Sequence, residues 1–307
     1  MKNIALIFPG QGAQKVGMGK ELYDQVPAAK AVFEKANAVL GYDLTDIIFN
    51  GPEEKLMITS NCQPAIFTMS MAALAAFRAS PAFNTVNVKF TAGLSLGEYG
   101  ALCAAGVVTF EDSLKLIQQR GAFMDDAAKA NPGKMAAVIG FDKDRLLAIC
   151  REAGCEVANF NAPDQIVITG LADRVAKASE LLAAAGCRKV IALDVSGAFH
   201  SSLMKPAAEK FSGALAGVAF KMGDIQVITN VTGKPQATAE DVRANLTRQI
   251  YSSVEWVESI QFLASQGITD IVEIGPGKVL KGLVRKIDPS LNVSNCQTPD
   301  DINSLTF

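Results

Sequence analysis

Histidine is almost absent from this sequence of 307 residues: there is one, beside one tryptophan and four tyrosines. Any chemistry that needs an imidazole near neutral pH must therefore use that single residue. A basic excess is also missing, with 29 Lys+Arg against 31 Asp+Glu, so nothing in the composition equips the chain to neutralise a phosphate backbone. The six cysteines (62, 103, 150, 155, 187, 296) form no C-x-x-C and no metal-ligand spacing with the histidine. They read as small buried hydrophobes of a reducing compartment. No clean apolar run is present either. The longest uncharged stretch, Ile58 to Phe77, carries Ser60, Asn61, Gln63, Pro64, Thr68 and Ser70, costly groups in lipid, and is expected to be a buried helix. The opening Ile4–Phe8 run is too short for a signal-peptide core and lacks a small-residue cleavage site. These absences point to a soluble cytoplasmic protein without nucleic-acid or membrane partners.

What is present is a globular composition, 49% hydrophobic and 20% charged, long enough for one large or two ordinary domains at ~150 residues each. Ile4–Phe8 stops at Pro9-Gly10, as a buried strand does. Ala28–Leu40 carries a helical stripe, and Asn61 is expected to cap a helix reaching Arg78. An alternating run through Val86, Val88, Phe90 and Ala92 leads into glycine and then a helix from Leu96. Thr109, with Asp112 three residues on, opens another helix. Beyond Asn131-Pro-Gly133 the rhythm changes to strand 135–139, helix 143–153, strands 156–160 and 165–169, helix 172–185 and strand 188–193. That β-α-β-β-α-β order is the ferredoxin-like pattern. The expected architecture is thus α/β, with residues 131–197 inserted as a small subdomain between 1–130 and 198–307 of a larger α/β domain. Strand 268–274, turn 275–277 and helix 279–287 belong to the larger part.

Gly93-Leu94-Ser95-Leu96-Gly97 matches G-x-S-x-G, a pattern that arises by chance in roughly one chain in ten of this length. Its strand–turn–helix setting is that of a nucleophile elbow, with small residues for the sharp turn and a helix N-terminus for a developing oxyanion. The alternative is a glycine-rich turn with a capping serine. A serine nucleophile needs a base, and only His200 is available; Asp194, six residues earlier, could orient it, as could a backbone carbonyl or an amide side chain. Arg120 lies about 60° from the centre of its helix's apolar stripe at Ile117, so it points inward and needs an anionic partner. Asp125 and Asp126 are at neither i±3 nor i±4. The partner is either a carboxylate elsewhere in the fold or one on a substrate. The loop Pro9–Gln14 is not a dinucleotide fingerprint, because Lys15 replaces the third glycine, and Gly275–Lys278 is not a Walker loop.

Seven segments in order, FPGQGAQ (8–14), GLSLGEY (93–99), QQRG (118–121), NFNAPDQIVITG (159–170), GAFHS (197–201), QIYSSVEW (249–256) and EIGPGKVL (273–280), resemble the malonyl-CoA:acyl-carrier-protein transacylases, the acyltransferases of fatty-acid synthesis. The resemblance implies a hydrolase-like core bearing the elbow, a ferredoxin-like insert and ping-pong acyl transfer with no metal and no redox cofactor. It makes Ser95 the nucleophile, His200 the base and Arg120 the clamp on the malonyl carboxylate. Gln11 and Leu96 would supply oxyanion-hole N–H groups, and the Gln249 carbonyl would hold the histidine in place of a triad acid, demoting Asp194. Phe199 would line the acyl pocket. Leu94 departs from the commoner histidine at that position. Malonyl-CoA and acyl carrier protein are the implied partners; carrier proteins are acidic, and Lys278, Lys281 and Arg285, at i, i+3 and i+7, offer a basic face. The competing functions are a serine hydrolase or thioesterase, a polyketide-pathway acyltransferase, and a non-catalytic member of the fold, which would be expected to have lost Ser95 or His200.

Overall fold

A computed structural model describes all 307 residues. Its strands, in chain order, are β1 (Lys2–Phe8), β2 (Val86–Gly93), β3 (Gly133–Ile139), β4 (Glu156–Ala162) and β5 (Gln165–Leu171). They continue with β6 (Lys189–Ala192), β7 (Gln226–Ile228), β8 (Asp270–Ile274) and β9 (Asn292–Cys296). One sheet has the order β7-β2-β1-β8-β9, with every neighbouring pair parallel. Along β1, Ile4, Leu6 and Phe8 enter one apolar cluster while Ala5 and Ile7 enter another. Both faces are therefore covered, which is why this strand reads as an unbroken apolar run rather than an alternation.

The second sheet has the order β4-β5-β3-β6 and is antiparallel throughout. Helices Lys143–Ala153 and Ala172–Ala184 pack on one of its faces, around Val138, Ile166 and Ile168. The other face turns Met135, Ala137 and Val167 into the main apolar cluster with Phe199. The cavity described below lies on that side.

Most elements fall within a residue or two of their sequence boundaries. The uncharged stretch lies in a helix, Thr59–Ala79, almost wholly buried, with Gln63, Thr68 and Ser70 enclosed among its apolar residues. Its start differs from expectation: Asn61 lies in the first turn, where its amide donates to the Lys55 carbonyl, and it does not cap. Thr109 does cap the helix Phe110–Ala130, accepting from the Asp112 N–H at 3.1 Å. No helix is long and apolar enough to cross a membrane.

Candidate active site

β2 ends at Gly93, and helix Gly97–Ala104 starts four residues later. Between them Ser95 adopts a left-handed backbone with φ 53°, unusual for a residue with a side chain. Such a conformation persists only where the surroundings fix it. A Cβ on Gly93 would overlap the Gly97 backbone, and one on Gly97 would overlap the Phe8 carbonyl. The Leu94 N–H also donates to Phe8 O at 3.0 Å. The two motif glycines thus let the elbow press against the end of β1, which brings the loop carrying Gln11 beside Ser95. The backbone N–H groups of Gln11 and Leu96 make no hydrogen bond within the chain. The N–H of Ser95 is already taken by Asn230 Oδ1 at 2.5 Å, and Asn230 Nδ2 donates to Gly93 O at 2.6 Å.

His200 has a left-handed backbone too, φ 58°, and is buried. Its Nδ1 is 2.8 Å from the Gln249 carbonyl, which can only accept, so Nδ1 carries the proton. Nε2 is then the acceptor for the Ser95 hydroxyl, at 2.8 Å. Burial, and after it the Arg120 charge, lower the imidazole from its ordinary 6.5 to about 4, although the Gln249 and Ser252 carbonyls pull the other way. At neutral pH the ring is uncharged. Asp194 makes no hydrogen bond to His200 and is exposed at the rim of the cavity. Of the orienting groups open to His200, the Gln249 carbonyl occupies Nδ1, and Asp194 does not.

Arg120, on helix Phe110–Ala130, is wholly buried. Its Nη1 donates to Gln63 Oε1 at 2.8 Å, and its Nη2 donates to Gln249 Oε1 at 3.1 Å and Ser95 Oγ at 3.2 Å. The guanidinium lies 5.7 Å from the Tyr99 ring centroid, a cation–π distance. It forms no salt bridge, and its Nε–H has no acceptor in the chain. A buried cation held by neutral groups, with a donor to spare, is suited to receive an anion.

These groups open on a cavity of about 300 Å³, lined by Gln11, Ser95, Leu96, Arg120, His200, Phe199 and a set of apolar side chains that includes Met124, Met135 and Val167. Phe199 is buried, and its carbonyl accepts from Thr169 Oγ1 at 3.0 Å. Lys278, Lys281 and Arg285 are exposed at the start of and along helix Val279–Ile287, away from the buried groups. Gly277, just before them, packs beside Ala13 of the first loop. No group of three His, Cys, Asp or Glu side chains is arranged to hold a metal ion.

Four participants were invisible in the sequence. Gln63 is one polar residue in a mostly apolar helix, and Tyr99 is a buried aromatic just past the elbow. Glu98 had the signature of a first-turn acid of a helix, a common helix-dipole partner. Asn230 follows a strand of three residues and carried no signal.

The sequence matches the family described as Acyl transferase domain over residues 5–298. A malonyl CoA-acyl carrier protein transacylase of Bacillus subtilis (strain 168) is 45% identical over 307 residues, covering 98% of this chain and 96% of that protein. The crystal structure of a malonyl-CoA:acyl carrier protein transacylase (FabD) from Xanthomonas oryzae superposes with a TM-score of 0.93 at 41% identity, covering 99% of this chain and 97% of that one. A malonyl-transacylase solved in complex with its type II PKS acyl-carrier protein gives a TM-score of 0.95 at 36% identity, covering 99% and 98%. With nearly the whole length matched in sequence and in structure, this chain belongs to the acyl transferase family, among its malonyl CoA-acyl carrier protein transacylases.

Proposed function

We propose that the chain moves a malonyl group from malonyl-CoA to the phosphopantetheine thiol of acyl carrier protein through a malonyl-Ser95 ester. The observation that carries this reading is Arg120: a buried guanidinium with no carboxylate partner, one nitrogen of which is 3.2 Å from the serine oxygen. A hydrolase acting on uncharged acyl groups has no use for a buried cation there.

In the first half-reaction Ser95 Oγ attacks the thioester carbonyl and passes its proton to His200 Nε2. The Gln249 carbonyl stabilises the resulting imidazolium through Nδ1, the task a triad carboxylate performs elsewhere. The unpaired N–H groups of Gln11 and Leu96 receive the oxyanion, and Arg120 holds the distal carboxylate of malonate. His200 then returns the proton to the departing CoA thiolate. In the second half the carrier's pantetheine thiol gives its proton to His200 and attacks the serine ester, restoring the hydroxyl. Each half is one acyl exchange, so no electrons are transferred. Intact-mass spectrometry after mixing with malonyl-CoA tests the reading: a malonyl adduct is expected on Ser95 and is absent from Ser95→Ala. An unmodified wild-type protein that still consumes malonyl-CoA would refute the covalent route.

The same proposal covers the finer architecture. The order β4-β5-β3-β6, with two helices on one face, supports a ferredoxin-like subdomain at about 131–197. The parallel sheet with its elbow after β2 supports a hydrolase-like core formed by 1–130 and 198–307. Lys278, Lys281 and Arg285 are proposed as part of the carrier-protein face, supported by their exposure and their nearness along the chain to Gly277 beside the first loop. A cytoplasmic setting is proposed from the six free cysteines, five of them buried.

A further inference from the structure

The Glu98 side chain is completely enclosed, and the acyl-transfer steps above give it no task. Its Oε2 accepts from two N–H groups, Asn230 N at 3.0 Å and Gln249 Nε2 at 2.7 Å. With Oε2 accepting, the NH2 end of the Gln249 amide is the one that faces Glu98. With Nε2 held on Glu98 and on the Ser95 carbonyl (3.0 Å), the amide oxygen must face the other way, onto Arg120 Nη2. Without that constraint the amide could turn over and aim its NH2 at the guanidinium, donor against donor. The second contact holds the backbone of Asn230, whose side chain takes the Ser95 N–H and the Gly93 carbonyl.

We propose that Glu98 is a positioning residue for malonyl selectivity. Acting through the Gln249 amide, it holds Arg120 where the guanidinium can take the substrate carboxylate. Glu98 touches neither the serine oxygen nor the imidazole; it works one residue removed from the reacting atoms. Its carboxyl is linked to Arg120 by that single amide. Burial pushes its proton affinity up, while the Asn230 and Gln249 donors and the Arg120 charge oppose that shift.

The inference rests on the Arg120 clamp reading, so Arg120→Ala is measured beside it. Glu98→Gln keeps one acceptor oxygen for both N–H groups, whereas Glu98→Leu keeps the bulk and removes the acceptors. Rates of acyl transfer from malonyl-CoA and from acetyl-CoA are compared for each folded variant. Glu98→Leu is expected to lower the malonyl-to-acetyl preference about tenfold, the worth of one lost orienting hydrogen bond, and Glu98→Gln to restore it to within about threefold. Equal loss with both acyl donors would mean that Glu98 only supports the fold and would overturn the proposal, as would an unchanged preference in Glu98→Leu. If Glu98→Leu does not fold, Gln249→Met decides the question. It removes the amide that Glu98 orients but leaves the main-chain carbonyl on His200, and the same loss of preference is expected; no change overturns the proposal. Should Arg120→Ala itself leave the preference unchanged, the clamp reading has failed. A change there without one in the Glu98 variants means that only the Glu98 proposal has failed.

Discussion

Arg120→Ala separates binding of the malonyl carboxylate from acyl transfer itself. In the wild type the guanidinium is enclosed by Gln63, Gln249, Ser95 and the Tyr99 ring, all neutral, and its Nε–H is unused. A carboxylate arriving there gains charge-assisted hydrogen bonds out of water's reach. Truncating one member of such a pair costs about 2–5 kcal/mol, or about 30- to 5,000-fold in malonyl transfer. Acetyl transfer makes no use of the clamp and should stay within a few-fold of wild type or rise, because Ser95, His200 and the two backbone donors are untouched. The variant also deletes the one charge that depresses the His200 pKa, leaving burial as the remaining cause. The acid limb of its acetyl-transfer profile should therefore move up from about 4 while staying below 6.5, since burial, the larger cause, remains. The assay is a pair of initial-rate series with malonyl-CoA and acetyl-CoA, with thermal unfolding as a control on the fold. Equal losses with both donors in a folded variant would make Arg120 a structural cation and refute the reasoning.

Four further outcomes follow from the geometry. Wild-type acylation should be level from about pH 8 to 6 and fall only towards about 4, where His200 gains a proton; His200→Ala should remove that limb and cost about 10²–10⁴-fold, and an inflection near 6.5 would contradict the burial argument. The same depressed value makes a stability statement: the unfolded chain binds the proton first, so up to about 3 kcal/mol is present in full above 6.5 and lost as pH falls through 6.5 to 4, readable in urea midpoints. Phe199→Ser should raise methylmalonyl relative to malonyl transfer by up to about 1–3 kcal/mol, the worth of room for one methyl, and an unmoved ratio would make Phe199 plain packing. Reversing Lys281 and Arg285 to Glu should slow transfer to carrier protein, more so at low salt, and leave transfer to free pantetheine unchanged; matching losses would mean a damaged fold.

Local rules settled a good part of this protein. Thr109 and Asp112 mark a helix start because their capping bond spans three residues. The inward face of Arg120 follows from helical period alone. Gly93 and Gly97 announce a sharp turn because only glycine leaves space for it, and β-α-β-β-α-β is legible because each element carries its own periodicity. Asn61 misled because an amide beside an apolar run can cap a helix or bond back to the preceding turn, and the choice depends on where Lys55 lies. Whether Asp194, a backbone carbonyl or an amide would orient His200 could not be chosen from spacing, because the partner is the main chain of Gln249, 49 residues away. What faces a buried polar group is decided by segments far away in sequence. Gln63, Glu98, Arg120, Asn230 and Gln249 come from five separate stretches, and no period or spacing relates them. The same holds for the His200 proton affinity, which is set by the apolar enclosure and by a guanidinium 80 residues away along the chain. Sequence could name the only imidazole; its charge at a given pH is a property of the surrounding fold, because desolvation and Coulomb energy depend on distances that exist only once the chain has closed around it.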